Sequence, residues 1–281
     1  MSLTAARALS LNAQSSPELP RVPELQALYS MGVRPRVGEV IMIAGRSGTQ
    51  KSGFALWLVR RWTEVAAEQG QEIDALYFSA DMSAFQASVR LACSVTGDTT
   101  EMVELGMREE RLRSEYMNAL KNLQITFSFG SPITWHSVEA ELDAYVELHN
   151  RYPSIIVLDN LMDIEGSSAD YTAQMEAMQS VSDLSRDTGS TVLVLHHASD
   201  KSWDAKADPW KPPSRDQIKG GMSEKPELSL SVALDPQSHL YRVACIKQRM
   251  GPSDPTAQNF AVMRAEPSTT RFHVYDTGFA L

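Results

Sequence analysis

The sequence predicts an α/β fold: a mainly parallel, twisted sheet with helices on both faces and antiparallel strands at its C-terminal end. Three observations carry that expectation. Short apolar, often β-branched runs alternate with longer helical patterns, which is how buried parallel strands and their crossover helices read. A glycine-rich octapeptide of phosphate-loop form joins the first strand to the first long helix. The last strand candidates follow one another without long helices between them, so they pair antiparallel.

Residues 1 to 36 are punctuated by Pro and Ser, with one short helical stretch at Pro23–Tyr29, and read as an N-terminal arm or linker. Residues 37–281 read as one domain. Its strand candidates are Val40–Ala44, Ala75–Ser79, Leu123–Phe127, Ile155–Asp159, Val192–Leu195, Leu228–Leu234 and Tyr241–Ile246. Helical patterns fill the early gaps at Gly53–Glu68, Phe85–Thr96, Met102–Leu120, Ser137–Asn150 and Ala173–Thr188. No internal repeat interrupts the series.

Composition limits the function. With 43% hydrophobic residues in 281, the chain can bury a large core. No apolar run approaches the roughly 20 residues that span a bilayer, and the first residues lack the apolar centre of a secretory signal. Cys93 and Cys245 are the two cysteines, without the spacing of a disulfide framework or zinc site, so a cytoplasmic setting without membrane contact is expected. The net charge of −9 argues against a surface coated for nucleic acid and leaves room for a local basic strip.

The octapeptide is Gly45, Arg46, Ser47, Gly48, Thr49, Gln50, Lys51 and Ser52. Its backbone amides and the following helix N-terminus suit phosphates; Lys51 would reach the terminal phosphates of ATP, and Ser52 would ligate Mg²⁺. The usual pattern has Gly before the Lys. Gln50 stands there instead, and a side chain at that place costs about 1 kcal/mol if φ is positive. Two further strands end in carboxylates, Asp159 after SIIVL and Asp81 after ALYFSA, at the sheet edge where doubly wound folds bind ligands. Asp159 suits the metal shell and Asp81 the attacking water, although either can also cap a helix. A third strand ends in His196 and His197, which could sense a γ-phosphate or, with Asp200, hold a metal.

Read together, these segments resemble the ATPase domain of DnaB-type replicative helicases, with RepA and KaiC-like relatives, and so imply a RecA-like P-loop core. VGEVIMIAGRSGTQKSGFAL is similar to that family's phosphate-loop region, LYFSADMS to its "ffSLEMs", SIIVLDNLMDI to its Walker B strand, and VLVLHHASD to its "vialSQLnR". ACIKQRMGP, residues 244–252, is similar to "iiaKqRnGp", and RFHVY to its closing strand. The likeness runs over roughly residues 30 to 275. It implies ATP and Mg²⁺ as cofactors, Asp81 as the catalytic carboxylate, Asp159 as the metal carboxylate, His197 as the sensor, and Lys247 and Arg249 as cations offered to a neighbouring subunit's nucleotide. A homo-oligomer, a hexameric ring with sites between subunits, follows from the same likeness, as does a phage source. No counterpart of the family's N-terminal domain is read in the chain. Gln50, Asp81 and the His pair depart from the family pattern.

Single-stranded DNA is the expected partner. Asp200–Gly221 is polar and Pro-rich, with Lys201, Lys206, Lys211, Arg215 and Lys219 interleaved with Trp203 and Trp210. Cations for phosphate and rings for bases suit a single strand, though Asp204, Asp208 and Asp216 dilute the pattern. QIKGG resembles the family's pore loop, which adds Gly220 and Gly221 to Lys211, Arg215 and Lys219. The expected function is therefore an ATP-hydrolysing helicase or translocase. Two alternatives use the same residues: a metal-dependent nuclease built on Asp159, Asp163, Glu165, His196, His197 or Asp200, and a nucleotide-binding assembly or loader protein with little turnover.

Overall fold

The computed structural model describes residues 17–199 and 208–275. Among these described residues nine strands form one sheet in the order β3-β2-β4-β5-β1-β6-β7-β8-β9. The strands are β1 (Val40–Gly45), β2 (Ala75–Ser79), β3 (Ile125–Phe129), β4 (Ile155–Asp159), β5 (Thr191–His197), β6 (Leu228–Leu234), β7 (Leu240–Gln248), β8 (Ala261–Glu266) and β9 (Arg271–Val274). Strands β1 to β6 pair in parallel, and β6 to β9 form antiparallel ladders. Strands β1, β2, β4 and β6 are buried along their whole length, which explains why they read as unbroken apolar runs.

The helices are α1 (Gln26–Ser30), α2 (Lys51–Glu68), α3 (Ala84–Thr96), α4 (Thr100–Gly106), α5 (Glu110–Leu120), α6 (Trp135–His149) and α7 (Tyr171–Thr188). Alternate strand residues point to opposite faces. On one face Ile41, Ile43, Tyr77, Val157 and Leu193 meet Phe54, Trp57 and Trp62 of α2 and Leu91 of α3. On the other, Met42, Phe78, Ile156, Leu158 and Val194 meet Val138 and Leu142 of α6 and Met178 and Val181 of α7. The base of the sheet is tied by Asp74. Its buried carboxylate accepts from the Ser154 amide and hydroxyl, both at 2.8 Å, and pairs with Arg151 and Tyr145.

Three local readings change. The pattern expected as one helix over Met102–Leu120 is two helices, because Gly106 ends α4 and Glu109 starts α5 afresh. The third strand lies two residues later than Leu123–Phe127; its half-exposed edge position blurs the apolar signal. Residues 261–266 form a strand, β8, that the apolar pattern alone did not mark.

The segment expected as an arm is packed from Pro17 onward. Leu19, Val22, Leu25, Leu28, Tyr29 and Val33 join the same core cluster as α2. The Leu19 amide donates to Pro35 O at 2.9 Å and the Val37 amide to Pro17 O at 2.9 Å, closing the segment on itself at the foot of β1. Glu24 meets Arg61 of α2 at 3.1 Å. Leu28→Ala should therefore lower unfolding stability by about 2–5 kcal/mol, the range for a buried leucine. Urea denaturation would measure it; a loss below about 1 kcal/mol would mean that the segment is not part of the core.

Candidate functional site

The phosphate loop leaves the carboxyl end of β1 in the middle of the parallel strands. A Cβ at Gly45 would lie 2.7 Å from Thr49 Oγ1 and 2.8 Å from Val232 O, so the loop closes against β6 only with glycine there. Inside the loop the Thr49 hydroxyl donates to Arg46 O at 2.8 Å, and Lys51 Nζ donates to the same carbonyl at 2.9 Å. Gln50 precedes α2 in the left-handed region, at φ 57° and ψ 31°, and gives the helix no side-chain cap. The first-turn amides of α2 are thus presented at the loop, the arrangement that favours an anion. The cost expected of Gln50 has its cause: the backbone is left-handed at the place where the common pattern puts glycine.

Asp159 ends β4 opposite the loop. It is 3% exposed. The Ser52 hydroxyl donates to its Oδ1 at 3.1 Å, and Tyr77 of β2 donates to its Oδ2 at 2.8 Å. Burial holds the Asp159 carboxyl above its ordinary range, against the lowering by these two hydroxyls; Asp81 and Asp163 add like charge. Burial, then Asp81, raises Asp163 as well. Asp81, exposed beyond β2, therefore stands close enough to both to be felt. A hydroxyl and a buried carboxylate, both hard oxygen donors, fit the requirements of Mg²⁺. Tyr77 carried no signal in the sequence, since a tyrosine within an apolar strand reads as core.

The paired histidines separate. His196 is fully buried, and its Nε2 donates to Lys219 O at 2.9 Å. Burial pushes its pKa down to about 4, so the ring is neutral. His197 is the last residue of β5, in register with Gly45. Among the described residues no three His, Cys, Asp or Glu side chains gather as a metal-holding group. Asp200 lies outside the described residues, as do Lys201, Trp203, Asp204 and Lys206.

The basic segment is fastened to this site. Arg46 Nη1 donates to Pro209 O at 3.3 Å and to Lys211 O at 3.1 Å. Further on, the Arg215 amide donates to Pro255 O at 2.8 Å and Ser199 N to Gln217 O at 2.8 Å. Lys219 is exposed, and Gly220 and Gly221 both have positive φ, 64° and 59°. Lys211, Arg215 and Gly221 line an open cavity of about 650 Å³ with Thr256 and Gln258.

Lys247 and Arg249 lie elsewhere. Sequence order suggests a strand toward the far side of the sheet, but only β6 separates β7 from β1. The distance comes from direction. Because β7 runs antiparallel, Lys247 pairs with Ser229 near the start of β6, while Gly45 pairs with Val232 further along it. The two cations thus sit toward the end of the sheet opposite the phosphate loop. Lys247 Nζ donates to Pro226 O at 2.6 Å and to Glu224 O; Arg249 donates to Lys225 O at 3.1 Å and faces Glu227 at 3.5 Å. Burial, then the Arg249 and Arg215 cations, push Lys247 down to about 8.

Fold and loop together define a P-loop ATPase with the RecA-like core. The chain belongs to the AAA domain family, whose pattern matches residues 5–230. It is 28% identical over 261 residues to the gene 65 protein of Mycobacterium phage L5, covering 90% of this chain and 92% of that one. It is also 28% identical over 247 residues to the gene 65 protein of Mycobacterium phage D29, covering 84% and 100%. Its fold is similar to a DnaB-like replicative helicase, with a TM-score of 0.77 at 13% identity over 98% of this chain and 68% of that chain. It is similar too to a second solved structure, an ATPase domain, with a TM-score of 0.75 at 13% identity over 98% and 100%. Among the described residues no helix is long and apolar enough to cross a membrane.

Two outcomes test the site. Gln50→Gly should raise ATP affinity or turnover by relieving the left-handed residue; nucleotide titration and steady-state hydrolysis measure it, and a fall in both would give the Gln50 side chain a role of its own. Asp159 has a raised folded pKa, so its carboxylate opposes folding above that pKa and the opposition fades as pH falls through it. Asp159→Asn should therefore melt higher than the parent at pH 7 without nucleotide while losing hydrolysis, with the melting difference shrinking in acid. A lower melting temperature at pH 7 would contradict the burial argument.

Proposed function

We propose that this ATPase is a ring-forming motor, hexameric by its resemblance, that binds and translocates on single-stranded DNA and hydrolyses ATP with Mg²⁺ between subunits. The observation that carries the reading is the double link between nucleotide loop and basic segment. Arg46 reaches from the loop to the carbonyls of Pro209 and Lys211, and His196, beside the sensor position, reaches Lys219 O. A change at the phosphates is thereby transmitted to Lys211, Arg215, Lys219, Gly220 and Gly221, which would meet DNA phosphates.

In this reading the amides of residues 45–52 hold the phosphates, and Lys51 exchanges the Arg46 carbonyl for the terminal phosphate. Ser52 and Asp159 would hold the magnesium ion, which would supply positive charge to neutralise the phosphates during transfer. Asp81 would orient the attacking water, and His197 would sense the γ-phosphate. Lys247 and Arg249, turned away from their own loop, would serve the neighbouring subunit's nucleotide, where an arginine stabilises transition-state charge.

ATP hydrolysis measured with and without single-stranded DNA tests this. DNA should accelerate the parent. Replacing Lys211, Arg215 and Lys219 with Ala should abolish the acceleration and flatten the salt dependence of DNA binding. The slope should change by roughly 2, at about 0.7 per lost phosphate contact on a single strand. An unchanged rate with DNA, together with an unchanged slope, would remove the motor reading and leave a nucleotide-binding assembly protein.

A further inference from the structure

We propose that Gln248 is the positioning residue for the Lys247–Arg249 pair, and that it works by locking the end of β7 onto residues 32–34. This rests on the reading above that the two cations act on a neighbour's nucleotide.

The geometry starts with the strand. Leu230 pairs with Cys245 and Ser229 with Lys247, so Ile246 is an extra residue, a bulge. Bulges re-aim the side chains that follow them, and they also weaken the ladder that would hold those side chains in place. Lys247 and Arg249 leave one face of the strand and reach the carbonyls of residues 224–226. Gln248 leaves the other face. Its Oε1 accepts from the Arg34 amide at 2.8 Å, and its Nε2 donates to Gly32 O at 3.0 Å. One planar amide thus engages both a donor and an acceptor on the same backbone turn, adding a second hold to the ladder, which resumes after the bulge at Ser229–Lys247 and Leu228–Gln248.

The surroundings are shaped for this contact. A Cβ on residue 251 would overlap the Gln248 amide, so the glycine after the basic pair leaves the room in which that amide lies. A Cβ on Gly32, which has φ +87°, would come within 2.6 Å of Pro252 Cγ. The turn at 32–34 is itself fixed, with Leu28 and Val33 in the core and the Val33 amide donating to Leu28 O at 3.1 Å. The N-terminal segment, far from its own phosphate loop, is thereby part of what holds the cations in their place.

Gln248 touches no nucleotide in this scheme, so its loss should spare ATP affinity and lower turnover. A displacement of about 1 Å at a catalytic group costs up to about 100-fold; Gln248→Ala should therefore reduce kcat by roughly 10- to 100-fold with ATP Kd within about twofold.

Subunit mixing separates positioning from general damage. Lys51→Ala subunits keep their cations and lose their own site. Mixed with Arg249→Ala subunits, with exchange verified by native mass spectrometry, they should recover activity at interfaces pairing an intact site with intact cations. Gln248→Ala should behave as Arg249→Ala does: rescued by Lys51→Ala, and not by Arg249→Ala. Gly251→Ala, which pushes the same amide aside with Gln248 present, should join the same group and serves if Gln248→Ala does not fold.

If Arg249→Ala and Lys51→Ala fail to rescue each other, the shared-site reading itself falls, and this inference with it. If they do rescue each other, the proposal is overturned by any of three results: Gln248→Ala keeps parental kcat, loses ATP affinity, or is not rescued by Lys51→Ala.

Discussion

The carboxylate of Asp159 is the group on which the rest of the site depends. It sits at the end of a fully buried strand with two hydroxyls as partners, one from β2 and one from the first turn of α2. Burial, with the like charges of Asp81 and Asp163 behind it, disfavours its charge. A buried carboxylate is tolerated where it is hydrogen-bonded or where a cation is to arrive. Here the two hydroxyls satisfy it while also tying together the central strands and the helix that follows the phosphate loop. The same three elements that bury the core thus aim the site, and a change in the hydroxyl contacts is felt in both.

The direction of β7 imposes the second constraint. A parallel strand would deliver Lys247 and Arg249 to the same edge as the phosphate loop, among the Asp81, Asp159 and Asp163 carboxylates. The antiparallel return takes them toward the opposite end, over carbonyls of the 224–226 segment. A chain with net charge −9 thus keeps these cations apart from the carboxylates beside its phosphate loop. The charge balance of the whole molecule therefore says little about where an anion would bind.

Much of this was legible beforehand, for physical reasons. Buried parallel strands are apolar throughout, so β1, β2, β4 and β6 stand out, and β2, β4 and β6 have the expected bounds. The phosphate loop is local in sequence, and its strand–loop–helix context needs no tertiary knowledge. What was not legible depends on partners distant in the chain. Tyr77 looks like core until Asp159 is placed beside its hydroxyl. Arg46 looks like a loop cation until Pro209 and Lys211 come near. Residues 17–36 look like a linker because four prolines punctuate them, while the six apolar residues that anchor them are spaced for packing rather than for one helix face. The edge strand β3 lacks the full burial that would make its pattern clear.

The links along residues 208–221 leave little of that segment unattached. Arg46 holds carbonyls 209 and 211, the backbone holds 215 and 217, and His196 holds carbonyl 219. A strap clamped at such short intervals has little slack, and under the motor reading proposed above a shift of the nucleotide loop would be passed along it rather than absorbed. Immediately after the last clamp come Gly220 and Gly221, both left-handed. The Gly221 amide still donates to Ile218 O at 3.2 Å, and Met222 and Ser223 are buried, so the strap is anchored at its far end as well and the two left-handed glycines give it a bend rather than slack.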